Sequence, residues 1–316
     1  MLLDRGISLV TDPRLPVFYP LNRGRWSSLS RRMDAVELGS LPELDVLFTF
    51  DVEYDYGSGG SGGTNFLLPF MKKAGPFFRE HGIRATFFVQ GDLISKCADG
   101  LRTLGLGHDI GLHGYAHEPW GSSWFIDEPM PSQEERMQLL VRSVAAFERA
   151  GFPRPRSFRA PNLVIDSASL KLLKESGFAA DSSFPSYAGG LPLMQMRDGI
   201  TELPVSFDPK PLFGRFLMAR YLVFNTHNLA RREFRDSFAD AAMRVAKAQA
   251  SAGQKPFIVF LSHPWEFFTP EPGFDNEFFG YSSEKNFSVL ADAIAELKKS
   301  FRLRFRTVSE LASSRK

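Results

Sequence analysis

The sequence predicts an α/β fold, a (β/α) barrel of seven or eight strands, on three observations. From Asp45 onward, apolar strand-like runs alternate with helix-like segments, the pattern of a parallel sheet covered by helices. Seven or eight such units follow one another without a break, which suits a barrel better than an open sheet. The chemically conspicuous residues Asp51, His113, Arg159, Asp181 and His263 fall at or just after the C-terminal ends of five separate predicted strands, where such barrels place their chemistry.

Residues 1–44, rich in Pro, Arg and Ser and without a sustained period, are expected to be an arm that packs on the barrel or is partly disordered; 45–316 would be the barrel. Strand 45–50 runs into an acidic pair, Leu47-Phe48-Thr49-Phe50-Asp51-Val52-Glu53, and helix 65–80 follows. Strand 83–89 comes next, and strand 108–113 delivers His113. After helix 132–150, strand 156–160 ends in Arg159-Ala160-Pro161. Helix 166–176 leads to strand 177–182, which carries Asp181, and then to strand 201–205. Helix 231–252 precedes the run Phe257-Ile258-Val259-Phe260-Leu261-Ser262-His263; helix 285–300 and strand 302–308 complete the pattern.

Two long loops interrupt it. Residues 206–230 are apolar and aromatic (Phe207, Phe213, Phe216, Tyr221, Phe224) and read as a lid or as an insertion packed on the barrel wall. Residues 264–284 carry Trp265, Phe267, Phe268, Phe274, Phe278 and Phe279 directly after His263, a reasonable substrate wall. No repeat of 20–50 residues is visible.

Composition narrows the function classes. With 43% hydrophobic residues in 316, the chain can bury a substantial core. Its 31 Phe against 7 Tyr and 4 Trp mean chiefly core packing, with apolar or lipid-linked substrates as the alternative use of Phe near a site. The 38 Lys and Arg nearly balance the 36 Asp and Glu, which argues against a nucleic-acid binder. The single Cys97 excludes an intramolecular disulfide and a cysteine-only metal site. The first six residues already include Asp4, Arg5 and Gly6, so a signal peptide is not expected. Nor is there an uninterrupted apolar run of the ~18 residues that spans a bilayer. The expected address is the cytoplasm.

His113 and His117 stand four residues apart in His113-Gly114-Tyr115-Ala116-His117. On a single helical turn that spacing puts both rings within reach of one ion, and two imidazoles plus a carboxylate suit a divalent metal with an open position. The bland alternative is two unrelated histidines; the acidic pair Asp51 and Glu53 tips the balance toward metal. A second carboxylate and His263 would then remain as general base and acid. These residues imply a metal-dependent hydrolase.

Other features read more plainly. The tract Gly57-Ser58-Gly59-Gly60-Ser61-Gly62-Gly63 fits a dinucleotide-type spacing by composition alone and is better taken as a flexible loop near the site mouth. His108 belongs to the stability end of the barrel, His81 to a helix end, and His227 has no assignment. Arg159 is a surface arginine before a turn, or one that orients Asp51. Asp181 is a turn cap, or a contact that raises the pKa of His263.

In order, these residues resemble the polysaccharide deacetylase family (carbohydrate esterase family four, the NodB homology domain). Its Thr-Phe-Asp-Asp motif is similar to Thr49-Phe50-Asp51-Val52-Glu53, His-x-x-x-His to His113 and His117, and Arg-x-Pro to Arg159 and Pro161. An aspartate after a strand is similar to Asp181, and Leu-x-His to Leu261 and His263. The resemblance runs from Asp45 to near Val308. It departs at Val52, where the family's metal-binding aspartate would stand; Glu53 resembles an Asp-x-Asp/Glu variant that also occurs among ring-amide hydrolases. Residues 51 and 53 of an extended strand point to one side, so both can still face one metal.

The resemblance implies a distorted (β/α) barrel of the glycoside hydrolase/deacetylase type. It implies that Glu53, His113 and His117 hold Zn²⁺ or another first-row divalent ion, with Asp51 as base steadied by Arg159, and His263, tuned by Asp181, as acid. The expected activity is removal of an N-acyl (acetyl) group from an amino-sugar derivative. The substrate would be a small molecule or oligosaccharide, with nucleotide- and lipid-linked sugars among the candidates. The alternatives are an allantoinase-like hydrolase of cyclic ureides or imides, and a catalytically silent sugar-binding barrel.

Overall fold

The computed structural model describes residues 31–314 apart from 61, 106, 124, 185–192, 210–222 and 277. Its centre is β1, Glu43–Val52, of which nine in ten residues are buried. Strand β1 is covered on both faces, so its sequence reads as a continuous apolar run rather than an alternation. The alternation survives in where each side chain goes. Leu44, Val46, Phe48, Phe50 and Val52 join the core between sheet and helices. Leu47 packs instead in the barrel interior with Phe88, Val259, Leu261, Leu203 and Val205. Thr49, Asp51 and Glu53 continue that inner row.

Around β1 stand β2 (Ala85–Val89), β3 (Asp109–Leu112), β4 (Ser157–Phe158), β5 (Ala180–Asp181), β6 (Gln195–Arg197), β7 (Ile200–Glu202), β8 (Phe257–Ser262) and β9 (Arg302–Phe305). Their order is β6-β7-β5-β4-β3-β2-β1-β8, with β9 beside the first half of β1. Every pairing is parallel except β6 with β7. The eight parallel strands match the expected count. The ninth, β6, comes from a tight hairpin through Asp198 and Gly199, at φ of 46° and 80°, an Asp-Gly turn of the kind hairpins favour.

No strand ladder joins β7 to β8. Single residues close the gap: Ser206 donates its backbone N–H to Val259 O at 3.0 Å and accepts from Val259 N–H through its hydroxyl at 2.9 Å. Asn225 then bridges to Leu261. This is the distortion of the barrel, and it lies beside β8, the strand that leads to His263.

Among the described residues, the covering helices are α1 (Leu67–His81), α2 (Ile94–Thr103), α3 (Gln133–Arg149), α4 (Ser167–Glu175), α5 (Thr226–Ala230), α6 (Arg232–Arg235), α7 (Phe238–Ala250), α8 (Asn286–Ser300) and α9 (Val308–Ser313). Helix α1 buries Phe70, Met71, Ala74 and Phe78 and stops at Gly82, which takes the left-handed conformation and donates to Arg79 O. Helix α3 begins with a capping box between Ser132 and Glu135.

The expected helix 231–252 is broken into α6 and α7, and α2 has no counterpart among the expected segments. The expected 1–44 arm falls mostly outside the described residues, and β1 already starts at Glu43. The described ends of the 206–230 loop pack inward, with Phe224 buried against Phe234 and Phe238; Phe213, Phe216 and Tyr221 lie outside the described residues. No described helix is long and apolar enough to cross a membrane.

Candidate active site

Three strands converge on one carboxylate. Glu53, directly after β1, brings its Oε2 to 2.7 Å from Nε2 of His117 and 3.3 Å from Nε2 of His113. Its other oxygen lies 3.6 Å from Nε2 of His263, the residue after β8. Glu53 is buried, which opposes its charge, yet the two histidines beside it hold its carboxyl well below the usual range. Glu53, His113 and His117 offer ligand atoms within 4.8 Å of one another.

These residues fit a divalent metal. His113 Nδ1 lies 2.9 Å from the carbonyl of Arg159, a contact that makes Nδ1 the protonated nitrogen and leaves the Nε2 lone pair for an ion. Buried Oε2 of Glu53 has no well-aligned hydrogen-bond donor, although two imidazole nitrogens are close to it. An acceptor crowded by two further lone pairs and served by no aligned donor suits a shared cation.

The histidine pair does not sit on a helical turn. Gly114 and His117 both take positive φ, 68° and 67°, and the chain turns between them. Glu118 holds this turn: its carboxylate accepts the backbone N–H of Tyr115 at 2.9 Å and of Ala116 at 2.7 Å, and the indole N–H of Trp120 at 3.0 Å. Left-handed backbone at a ring-bearing residue costs energy, so His117 depends on this anchor. A carboxylate next to the histidine motif was the one available signal for Glu118.

Asp51 takes the other side of the cavity. Arg159, wholly buried after β4, donates from Nη1 to Asp51 Oδ1 at 2.9 Å and to Thr49 Oγ1 at 2.7 Å. Its Nε and Nη2 go to the carbonyl and hydroxyl of Ser182, and its guanidinium lies 4.5 Å from the ring centroid of Phe88. A buried guanidinium needs such full pairing, and the result is a fixed carboxylate beside the metal ligands.

His263 faces Glu53 across the cavity, but Asp181 is not its partner. Asp181 lies in register with Glu202 on the neighbouring strand β7, so its carboxyl turns toward Glu202 and Ser183. Glu266, three residues beyond His263, accepts its backbone N–H at 2.9 Å and contacts Nδ1 at 3.2 Å. Burial opposes a charge on His263; Glu266 first, then Glu53 and Asp51, outweigh it and push its pKa up to about 9. Tyr281 donates to Glu266, and His227 stacks on Tyr281 at 4.4 Å between ring centroids. The expected role of Asp181 therefore passes to Glu266, because neighbouring parallel strands place Asp181 beside a second acid.

The cavity has a volume of about 310 Å³. Besides the acidic and histidine residues, Tyr56, Ser58, Asn162, Leu163, Leu261 and Trp265 line it. The start of the Gly-Ser tract packs against the site: a Cβ on Gly57 would stand 2.9 Å from Glu53 Oε1, and Ser58 Oγ lies 3.3 Å from His117 Nδ1. Of the 264–284 aromatics, Trp265 stacks on His263 at 4.4 Å, whereas Phe267 packs in the core. Phe274 and Phe279 pack around Tyr56. The substrate wall thus shrinks to Trp265 and Tyr56 among the described aromatics. His108 accepts the N–H of Ala85 between Phe78 and Phe87, at the opposite end of the barrel as expected.

Residues 39–180 match the polysaccharide deacetylase family. The likeness to that family covers this segment, just under half of the chain. The matched segment holds Asp51, Glu53, His113, His117 and Arg159, and ends one residue before Asp181. Chitin deacetylase 1 of Saccharomyces cerevisiae is 27% identical over 173 residues, 54% of this chain and 50% of that protein. Peptidoglycan deacetylase-like protein FGM2 of Gibberella zeae is 27% identical over 139 residues, 42% of this chain and 37% of that protein. The chain thus spans half or less of these curated relatives. A structure from Mycobacterium smegmatis, assigned to the polysaccharide deacetylases, shares the fold with a TM-score of 0.59 at 22% identity, over 88% of this chain and 92% of that one.

Proposed function

We propose that this chain is a metal-dependent hydrolase that removes an acetyl group from the nitrogen of an amino-sugar derivative. The observation that carries this reading is the buried Arg159–Asp51 pair beside the Glu53, His113 and His117 cluster, with His263 opposite. Glu53, His113 and His117 would hold the ion, zinc by its preference for nitrogen and carboxylate ligands in a site that keeps a position open. When bound, it would acidify a water and polarise the amide carbonyl.

The chain's own residues account for the proton traffic. Asp51, held by Arg159, takes a proton from the attacking water as the C–O bond forms. His263, kept charged by Glu266, gives a proton to the leaving nitrogen as the C–N bond breaks. Amide and water become acetate and amine. Names of the relatives, chitin deacetylase and peptidoglycan deacetylase-like protein, support an amino-sugar substrate.

Mass spectrometry on zinc-loaded protein tests the proposal. The panel would be N-acetylated sugars and chitooligosaccharides, sugar nucleotides, lipid-linked sugars and cyclic ureides, each with and without chelator. Loss of acetyl with release of acetate, abolished by chelator, is the expected result. The displacement of the second acid from Val52 to Glu53 motivates the ring-amide arm, where gain of water without acetate would replace the deacetylase reading. Turnover of no compound, without bound metal, would leave a silent barrel.

A further inference from the structure

The reaction above leaves the buried carboxyl of Asp181 idle. Asp181 is wholly buried at the end of β5, beside Glu202. Burial pushes both carboxyls up, and the neighbouring Asp181 drives Glu202 well above the usual range, so the pair holds a proton between them. Asp181 also accepts the hydroxyl of Ser183 at 2.5 Å through Oδ1 and its backbone N–H at 3.3 Å through Oδ2.

That hydroxyl has one proton to give. Since it gives it to Asp181, its oxygen is oriented to accept, and it accepts the backbone N–H of Ala160 at 2.7 Å. The residue before it, Ser182, grips Arg159: its carbonyl accepts Nε at 3.0 Å and its hydroxyl accepts Nη2 at 2.7 Å. The same Ser182 hydroxyl donates to Leu203 O. Arg159 carries two loads, Asp51 on its guanidinium and His113 on its carbonyl. Past Pro161 the chain passes through Asn162 and Leu163 at φ of 58° and 56°, and both line the cavity. Two consecutive left-handed residues other than glycine persist only when their surroundings hold them.

We propose that Asp181 and Ser183 are positioning residues that fasten the Arg159–Leu163 turn, so that Asp51, the ligand His113 and one cavity wall share a single clamp. The hydrogen-bonding shape of Asp181 matters here, and its charge does not. Only the His113 load rests on the metal reading above.

Hydrogen–deuterium exchange at the Ala160 amide of the metal-free protein tests the clamp directly, in wild type, S183A, D181A and D181N. The D181N amide keeps an oxygen for the Ser183 hydroxyl and offers a donor to Glu202, giving up only the long 3.3 Å bond from the Ser183 N–H. S183A and D181A are expected to speed exchange about five- to tenfold, the worth of one net hydrogen bond, while D181N stays within about twofold of wild type. Zinc affinity, measured by competition with a chromogenic chelator, should weaken about tenfold in S183A, the low end for residues that orient a ligand, and hardly in D181N. Wild-type behaviour of S183A, or a D181N as loose as D181A, would overturn the proposal. Should the alanine variants not fold, D181N and S183T must both retain wild-type exchange, and faster exchange in either refutes the clamp. If wild type binds no zinc, the metal reading falls while exchange at Ala160 still decides the clamp.

Discussion

The two ends of the barrel treat buried charge in opposite ways. At the N-terminal end, among the described residues, buried Asp45 and half-buried Asp109 are answered by donors. Asp45 takes a bidentate pair from Arg304 at 2.8 and 2.9 Å, and Asp109 accepts the hydroxyls of Ser157 and Ser309. At the C-terminal end Glu53 Oε2 faces two imidazoles without an aligned donor, and His117, Asn162 and Leu163 take left-handed backbone. One end spends its polar groups on holding the strands together; the other tolerates strain and unmet acceptors to keep groups available. Substitutions at the two ends should therefore separate activity from stability.

The largest effect is expected at a ligand. H113A should abolish zinc retention after gel filtration, read by metal analysis, and turnover with it, while the fold persists by circular dichroism. D51N should keep the metal and lose turnover by about 10²–10⁴-fold, the range for a general base. A fully active D51N would show that the base is another group.

E266Q is next. His263 is charged below about pH 9, so activity that needs it as an acid should hold through neutral pH and fall above that point. Removing the partner that raises it should bring this alkaline limb down toward the ordinary histidine value near 6.5. An unmoved limb would mean that Glu266 does not tune His263. The same shift bears on stability. A histidine raised in the folded state contributes stability that is fully present below about pH 6.5 and lost as pH rises through about 9. Thermal melts of wild type and H263A should thus converge across that window.

The smallest effect on activity is expected at the opposite end. D45N removes the bidentate acid from half-exposed Arg304, which keeps Glu43 at 2.9 Å, and should cost about 1–3 kcal/mol of stability in denaturant melts, with kcat and KM near wild type. A catalytic loss as large as that of E266Q would erase the contrast between the ends.

Several parts of the site were legible because they are written in local patterns. Apolar runs announced β1, β3 and β8, and a period of two placed Asp51 and Glu53 on one face. The spacing of His113 and His117 marked the pair, although the turn that joins them is not helical. Glu118 and Glu266 hold their histidines from one and three residues away, yet nothing local distinguishes them from surface acids until the backbone folds around them. Strand ends of two residues, as in β4 and β5, are too short to carry any period.

By itself, then, the sequence determined the alternation of strands and helices, the inward row from β1 and the identity of the candidate ligands, because each depends on neighbours within a few residues. Only the tertiary structure decided which acid serves which base. Asp181 meets Glu202 through the β5–β7 register, 21 residues apart in the chain, and His263 is left to Glu266. Parallel strands bring distant residues side by side at spacings that loop lengths set, and no local pattern records that register.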